Sequence, residues 1–270
     1  MRAIRSIIRV HDGGFDPHTP SSARIYDYLL GGKDSFAVDR SVADQLIAVF
    51  PEIVELVAEN RQFLARASAW AARQGVRQFL DLGCGMPTEP TTHDVVQAVD
   101  AAAKVVYVDY DRVTISHLRA LSEHGHEGVV SVVDADVRDV PGVLKDVARS
   151  LDLTQPACVI MGSLLHLFTA DEARALVAGY VAALVPGSYL ILSLGRGDGP
   201  GAVEFFRTYS GWAASAYNHS AADVASFFGS LSLVPPGLVD AREWRPAVPH
   251  LAPLPPRDGE ALAGVALVTG

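Results

Sequence analysis

Five short apolar segments, with stretches of helical character between them, constrain the fold more than any other feature of this 270-residue chain. The predicted strands are 77–82, 105–108, 129–133, 157–161 and 189–194. Runs such as KVVYVD and ACVIM show no polar alternation, which is typical of strands buried on both faces. The alternation of strands with helices along the chain therefore predicts an α/β fold with a Rossmann-like, mostly parallel sheet that helices cover on both sides.

The residues before Gly75 follow a different pattern. Glycines and prolines mark 1–20 as an irregular arm. Three helices then fill 21–74, the first ending at Gly31-Gly32, and they predict a helical cap. The sheet domain covers 75–270 on this reading.

A looser pattern follows the fifth predicted strand. Glycines around Pro200 indicate a loop, and the residues beyond it predict two helices, two further strands and a proline-rich extended loop. These segments are 202–214 and 220–229 for the helices, 231–234 and 265–268 for the strands, and 245–257 for the loop. The complete sheet is therefore predicted to have seven strands.

The charge and composition of the chain limit the kinds of molecule that it is expected to bind. The net charge is −9 and no strongly basic run is present, which argues against a nucleic-acid partner. The sequence has no uninterrupted apolar stretch of about 18 residues, so no membrane span is predicted. Cys84 and Cys158 are too few for a disulfide framework or a multi-cysteine zinc site, so no metal is expected. These features favour a cytoplasmic protein that acts on a small molecule. They do not indicate an oligomeric state.

The turn after the first predicted strand, FLDLGCGMPT, is the strongest candidate for a binding site. It contains Asp81, Gly83, Cys84 and Gly85 between a strand and a helix. Glycines allow the backbone to approach a ligand closely, and a helix start offers free N–H groups. Turns at this position of open parallel sheets bind nucleosides and dinucleotides.

Two later carboxylates lie at the ends of the next two predicted strands. Asp109 can accept hydrogen bonds from both ribose hydroxyls of an adenosine. Asp136 can accept from an adenine amino group while the N–H of Val137 donates to the ring. Either aspartate alone is also compatible with a helix cap or a solvated turn. Together with the glycine turn, they predict a nucleoside site along one sheet edge.

The glycine spacing discriminates between cofactors. A nicotinamide fingerprint requires Gly or Ala at the third position, where this chain has Thr88 after Pro87. The turn instead resembles the first motif of class I S-adenosylmethionine-dependent methyltransferases. That resemblance implies that Gly83 and Gly85 line the methionine and ribose portion, that Asp109 binds ribose and that Asp136 meets adenine.

Further segments resemble one actinomycete family of methyltransferases that was long classified as a domain of unknown function. They span roughly 20–246, namely IYDYLLGGKDSFAVDR, NRQFLARA, RQFLDLGCGMPT, VVYVDYD, PGSYLILS and LVPPGLVDAREWRP. The chain departs from the family at Cys84, where Thr is frequent, at Tyr110, where Asn is frequent, and at Thr91-Thr92-His93. The resemblance implies S-adenosyl-L-methionine as cofactor, with the leading helices folded over the sheet edge.

The YDYLLGGKD segment supplies two further candidate cofactor contacts. A tight turn at the glycine pair would bring Tyr28 or Lys33 near the ligand, with Lys33 meeting its carboxylate. Alternatively, the glycines only end the helix and Lys33 is solvated. Arg24 can serve the same carboxylate or pair with Asp27 or Asp34.

The loop after the fourth predicted strand faces the transferred methyl group in this fold class. Ser163 is a candidate for positioning the cofactor, and His166 is either a base or a buried structural residue. His93, His219 and Tyr217 are weaker alternatives. The sequence therefore assigns no catalytic base.

These observations predict a methyltransferase that acts on a small molecule. The N-terminal helices and the segment 196–230 would form the acceptor region, unless its aromatic residues only pack against the sheet. Those residues are Phe205, Phe206, Tyr209, Trp212 and Tyr217. The competing hypotheses are an NAD-dependent oxidoreductase and a non-catalytic module that binds S-adenosylmethionine.

Overall fold

An open, eight-stranded sheet forms the centre of the protein in a computed structural model, which describes residues 16–122, 129–212, 216–248, 254 and 257–269. The predicted arm, apart from residues 16–20, and most of the second half of the predicted loop 245–257 lie outside the described residues. The strands are β1 Gln78–Leu82, β2 Lys104–Asp109, β3 Val130–Asp134, β4 Cys158–Gly162, β5 Tyr189–Arg196, β6 Ser232–Leu233, β7 Val239–Asp240 and β8 Glu260–Leu267.

Helices lie on both faces of this sheet. They are α1 Ser22–Leu29, α2 Ala37–Val49, α3 Ile53–Arg73, α4 Thr92–Gln97, α5 Arg112–Ser122, α6 Val140–Val147, α7 Ala170–Val181, α8 Pro200–Ser210 and α9 Ala221–Phe227, with a 3₁₀ turn at Leu165–Leu167. Threonine or serine caps begin α4, α7 and α9 with reciprocal side-chain hydrogen bonds, which explains where these helices start. In the part of the chain that the structure describes, no helix is both long and apolar enough to cross a membrane.

The strand order is β3-β2-β1-β4-β5-β8-β6, and β1 to β5 run parallel. The carboxyl ends of these five strands therefore meet at one edge. The order reverses between β1 and β4, which opens the crevice where such sheets bind ligands. The last strand, β8, is antiparallel to β5, from the pair Tyr189–Leu267 to the pair Arg196–Glu260.

The predicted class I architecture is confirmed, whereas the strand count differs. Eight strands are present because two short strands, β6 and β7, both pair with β8. Pro235 and Pro236 lie between them, and proline has no N–H to donate to a ladder. The last strand also begins at Glu260 rather than at 265. Its antiparallel partner β5 extends the pairing beyond the apolar run that the prediction recognised.

Two apolar cores lie on opposite faces of the sheet. The first three helices cover one face, where α3 packs across β5 and β8. Phe63 of this helix meets Trp244 edge to face, with ring centroids 5.5 Å apart. The helices α6, α7 and α9 cover the other face. Burial on both faces explains why the central strands have no polar alternation.

Candidate active site at the strand edge

A cavity of about 170 Å³ lies at the carboxyl edge of the parallel strands, beneath the leading helices. One side, here called the strand-edge wall, consists of residues in or just after β1 to β4. The other side, here called the helical wall, comes from α1, α3 and α8. The strand-edge wall contains Asp81, Gly83, Cys84, Gly85, Asp109, Tyr110, Val137, Ser163 and His166, and the helical wall contains Ile25, Tyr26, Leu56, Asn60, Arg61, Phe205, Phe206 and Tyr209.

The glycine turn brings backbone to the cavity surface. Gly83 and Gly85 have φ values of 61° and 66°, in the left-handed region that side chains disfavour. A Cβ on Gly83 would lie 2.5 Å from Cδ1 of Leu164, whereas a Cβ on Gly85 would meet only the Cβ of Ala23, at 3.9 Å. The first glycine therefore permits close packing of two loops, and the second leaves space beside the cavity.

Asp109 ends β2 as a buried carboxylate beside this turn, with 7% of its surface exposed. It accepts hydrogen bonds from the N–H groups of Gly85 at 2.9 Å, Tyr110 at 2.8 Å and Asp111 at 2.9 Å. Burial raises the pKa of Asp109 to about 6, although these hydrogen bonds oppose the shift. The carboxylate is thus charged at neutral pH and fixed against the glycine turn.

Burial also raises the pKa values of two other side chains of the turn. Asp81 accepts a hydrogen bond from the hydroxyl of Thr92 at 2.7 Å, and burial raises its pKa. Burial, followed by the charges of Asp109 and Asp81, raises the pKa of the Cys84 thiol well above its ordinary value. Because the thiolate is the nucleophilic form, Cys84 is unsuited to covalent catalysis.

The two residues predicted to meet adenine behave differently. Asp136 does not line the cavity; it is paired with Arg138, whose Nε lies 2.9 Å from its Oδ1. Burial alone would raise the pKa of Asp136, but the hydrogen bonds and charge of Arg138 lower it. Val137 does line the cavity, and its N–H has no acceptor among the residues described. Tyr110, which is 55% exposed, stands at the cavity surface nearby.

A polar network across the cavity was missed by the sequence reasoning. The side-chain amide of Asn60 donates to the hydroxyls of Tyr26 at 2.8 Å and Ser163 at 2.9 Å. Its oxygen accepts from Ser193 at 2.5 Å. The signal was present, because Asn60 lies three residues from both Val57 and Phe63 on the buried face of α3. A polar residue on an apolar helix face needs a partner.

The network supports an unusual backbone conformation. Ser163 has a φ of 49°, which is rare for a residue with a side chain, and its N–H donates to the carbonyl of Ser193 at 2.8 Å. Arg61, next to Asn60, was also missed. Its guanidinium donates to the carbonyl of Thr88 at 3.0 Å and forms no ion pair among the residues that the structure covers.

The structure does not bring Tyr28 or Lys33 to the cavity. The Tyr28 hydroxyl donates to Asp44 at 3.1 Å on the surface, and Lys33 is exposed. Arg24 is buried, but its partners are Asp39 at 2.7 Å and Asp111 at 3.3 Å rather than either aspartate considered above. The glycine pair after α1 therefore turns the chain away from the cavity.

The histidine and aromatic candidates separate into two groups. Phe205, Phe206, Tyr209 and His166 line the cavity. His93 is buried against Tyr107, and Nε2 of His219 lies 3.2 Å from the carbonyl of Leu165, so both are structural. Trp212, which is 51% exposed, and Tyr217 lie outside the cavity.

Comparisons with known proteins agree with this architecture. The sequence profile of the S-adenosyl methyltransferase family matches residues 10–269. A candidate methyltransferase from Thermobifida fusca is 36% identical, covers 94% of this chain and 96% of its own, and superposes with a TM-score of 0.89. A DUF574 family protein from Streptomyces avermitilis is 30% identical, and the match covers 93% of this chain and 98% of that protein, with a TM-score of 0.86.

More distant structures share the fold alone. An O-methyltransferase family protein from Burkholderia thailandensis is 14% identical, with a TM-score of 0.53 over 81% of this chain and 59% of its own. A search among curated proteins finds no match. None of these comparisons supports an oxidoreductase. Both the family match and the two similar structures cover nearly the whole sequence, and the chain therefore belongs to the S-adenosyl methyltransferase family, whose cofactor is S-adenosyl-L-methionine.

Proposed function

We propose that this protein catalyses transfer of a methyl group from S-adenosylmethionine to a small molecule bound in the cavity. The observation that carries the proposal is the convergence in one cavity of a left-handed glycine turn, a buried carboxylate and a backbone N–H that has no acceptor among the described residues. These groups are contributed by Gly85, Asp109 and Val137. Three successive strands position them, as expected for a nucleoside site.

The donor set fits the chemistry of this cofactor. We assign the ribose hydroxyls to Asp109, which is charged at neutral pH, and the adenine ring to the N–H of Val137 and the face of Tyr110. Gly83, Cys84 and Gly85 line the methionine portion. Arg61 forms no ion pair within the described part of the chain and is suited to bind the carboxylate of the amino acid moiety.

Ser163 and Asp81 complete the proposed cofactor site. Ser163 is fixed by Asn60, so its backbone presents a constant surface to the cofactor. Asp81 is available to a ligand amino group beside Arg61. Asp136 is proposed to act at the adenine edge only indirectly, by orienting Arg138 and the loop that precedes α6.

The cofactor, when bound, supplies an electrophilic methyl group on a sulfonium ion. The contribution of the protein is to hold the acceptor in line with that group and to exclude water beneath the helical wall. Alignment of this kind can contribute up to about 7–11 kcal/mol. Strong electrophilic catalysis is unnecessary because charge is dispersed as the reaction proceeds.

We propose a small-molecule acceptor because the protein has a net charge of −9 and the helical wall is rich in aromatic side chains. A polyanionic nucleic acid would be repelled by this charge. Both cysteines are unpaired, which agrees with action in the reducing cytoplasm.

Calorimetric titration with S-adenosylhomocysteine and with NAD tests the cofactor assignment. We expect saturable binding of the first ligand and none of the second; preferential binding of NAD would overturn the proposal. Release of S-adenosylhomocysteine is then measured over a panel of phenols, amines and carboxylates. Turnover with one acceptor supports an enzyme, whereas binding without turnover over the whole panel supports a non-catalytic module.

A further inference from the structure

The imidazole ring of His166 lies in the wall of the cavity. His166 belongs to the 3₁₀ turn after β4, and its carbonyl accepts the N–H of Tyr217 at 2.7 Å, which fixes the main chain. Its ring meets that of Tyr209 edge to face, with centroids 5.9 Å apart. Within the described residues, neither ring nitrogen has a hydrogen-bond partner. The ring is partly exposed and lines the cavity, so a ligand bound there can supply a hydrogen-bond partner.

The surroundings of His166 keep the ring neutral. Burial, and to a smaller extent the neighbouring His219, lowers the pKa of His166 to about 4. The groups around the ring are Tyr209 of α8 and His219, which precedes α9, and no described carboxylate forms an ion pair with it. At neutral pH the ring therefore offers one nitrogen as a proton acceptor.

The cavity wall that adjoins this imidazole is aromatic. The rings of Tyr209 and Phe205 are stacked, with centroids 5.8 Å apart and planes 18° apart, and Phe206 meets Phe205 edge to face at 5.4 Å. The charged groups of the cavity belong instead to the glycine turn, the end of β2 and Arg61 of α3. This surface suits an uncharged planar ring, since aromatic faces pack in offset or edge arrangements.

We propose that His166 is the general base for an acceptor that carries a hydroxyl group on an aromatic ring, an inference that rests on the function proposed above. The hydroxyl oxygen bonds to the methyl carbon as its proton passes to a ring nitrogen of His166. The carbon–sulfur bond breaks, and its electron pair stays on sulfur as a neutral thioether. The imidazolium then loses the proton to water, so that a methyl ether is the product.

Because His166 is a weak base, an acceptor with a relatively acidic hydroxyl group is favoured. An imidazole takes a proton more readily from an aromatic hydroxyl than from an aliphatic alcohol, which is far less acidic. Proton transfer becomes less costly as the acidities of donor and acceptor come closer, and an aromatic hydroxyl is closer in acidity to this imidazole than an alcohol is. The aromatic wall and the base therefore favour the same class of acceptor.

A binding experiment tests the contact without turnover. Protein saturated with S-adenosylhomocysteine is titrated with 2-naphthol, which can donate a hydrogen bond, and with 2-methoxynaphthalene, which cannot. We expect the wild type to prefer 2-naphthol by about tenfold, the size of a hydrogen bond to a buried partner. In His166→Phe the preference disappears, whereas the matched surface variant His117→Phe retains it.

A rate experiment tests the base itself. With 2-naphthol as acceptor, His166→Phe should lower kcat by about 100-fold or more at neutral pH, and raising the pH should partly restore the rate as the naphtholate forms. His166→Gln, which can accept a hydrogen bond but not a proton at neutral pH, should recover the binding preference but not the rate.

Three results would overturn the inference: no binding of 2-naphthol, an unchanged hydroxyl preference in His166→Phe, or an unchanged kcat in that variant. Failure of the proposed function looks different, because the wild type would then not bind S-adenosylhomocysteine at all. A folding defect in His166→Phe is detected by the same titration, since the folded variant should retain affinity for this ligand within about threefold.

Discussion

The strand-edge wall and the helical wall of the cavity differ in origin and in chemistry. The first consists of short loops that directly follow β1 to β4, and it presents backbone groups and the Asp109 carboxylate. The second joins α1, α3 and α8, which are far apart in the sequence, and it is largely apolar. One wall is specified by local turn chemistry and the other by long-range packing.

This difference predicts separate consequences of substitution. Changes in the strand-edge wall, except at His166, should alter cofactor affinity, because the proposed cofactor contacts other than Arg61 lie there. Changes at the polar contacts of the helical wall, except at Arg61, should alter stability or acceptor handling. Experiments that find the opposite division would show that the two walls do not act separately.

Of the substitutions considered, Asp109→Ala should have the largest effect, and it acts on cofactor affinity. Loss of the carboxylate should weaken S-adenosylhomocysteine binding by about 1.5–3 kcal/mol, the usual size of hydrogen bonds to a charged group. Calorimetry at pH 7.5 measures the change, with the surface variant Asp100→Ala as a control. Unchanged affinity in Asp109→Ala would remove Asp109 from the cofactor site.

Asn60→Ala tests how the two walls are joined. It removes the partner shared by Tyr26, Ser163 and Ser193, and we expect the free energy of unfolding to fall by about 1–3 kcal/mol. Urea denaturation measures the loss. Gln62→Ala, an exposed substitution on the same helix, should change stability by less than about 0.5 kcal/mol. Equal effects of the two substitutions would contradict a special role for the network.

The cofactor affinity should also depend on pH. The pKa of Asp109 is about 6 in the free protein, so this carboxyl group is mostly protonated below that pH. It must then lose its proton before it can accept hydrogen bonds from the ribose hydroxyls. Affinity for S-adenosylhomocysteine should therefore be nearly constant above pH 7 and fall about tenfold between pH 7 and pH 5. In Asp109→Asn this acid limb should disappear. An identical pH profile in that variant would assign the titration to another group.

Lys33→Ala should have the smallest effect. Its side chain is exposed and lies outside both walls, so affinity for S-adenosylhomocysteine should stay within about twofold. Arg61→Ala is the matched comparison and should lower this affinity severalfold. The reverse result would mean that Lys33, rather than Arg61, binds the carboxylate of the cofactor.

The fold was largely predictable because its information is local. Buried parallel strands need continuous apolar runs, and the turns between strand and helix need glycine or a capping residue. The exceptions were β7 and the beginning of β8, where pairing depends on a neighbouring strand rather than on the segment itself. An edge strand of two residues is too short to leave a sequence pattern.

The candidate site was only partly predictable. The turn at Gly83 and Gly85, and the carboxylate of Asp109, follow strands directly, so the sequence placed them on one edge. Asp136, which follows the next strand, was expected to face the ligand, but it pairs with Arg138 and does not line the cavity.

By itself, the sequence determined the sheet, its glycine turn and the family to which the chain belongs, because these depend on short-range spacing and backbone conformation. The tertiary structure alone decided that Asn60 and Arg61 face the cavity while Tyr28 and Lys33 do not. The direction of a side chain on a cap helix depends on how that helix packs against the sheet. That packing is the sum of many weak contacts between distant segments.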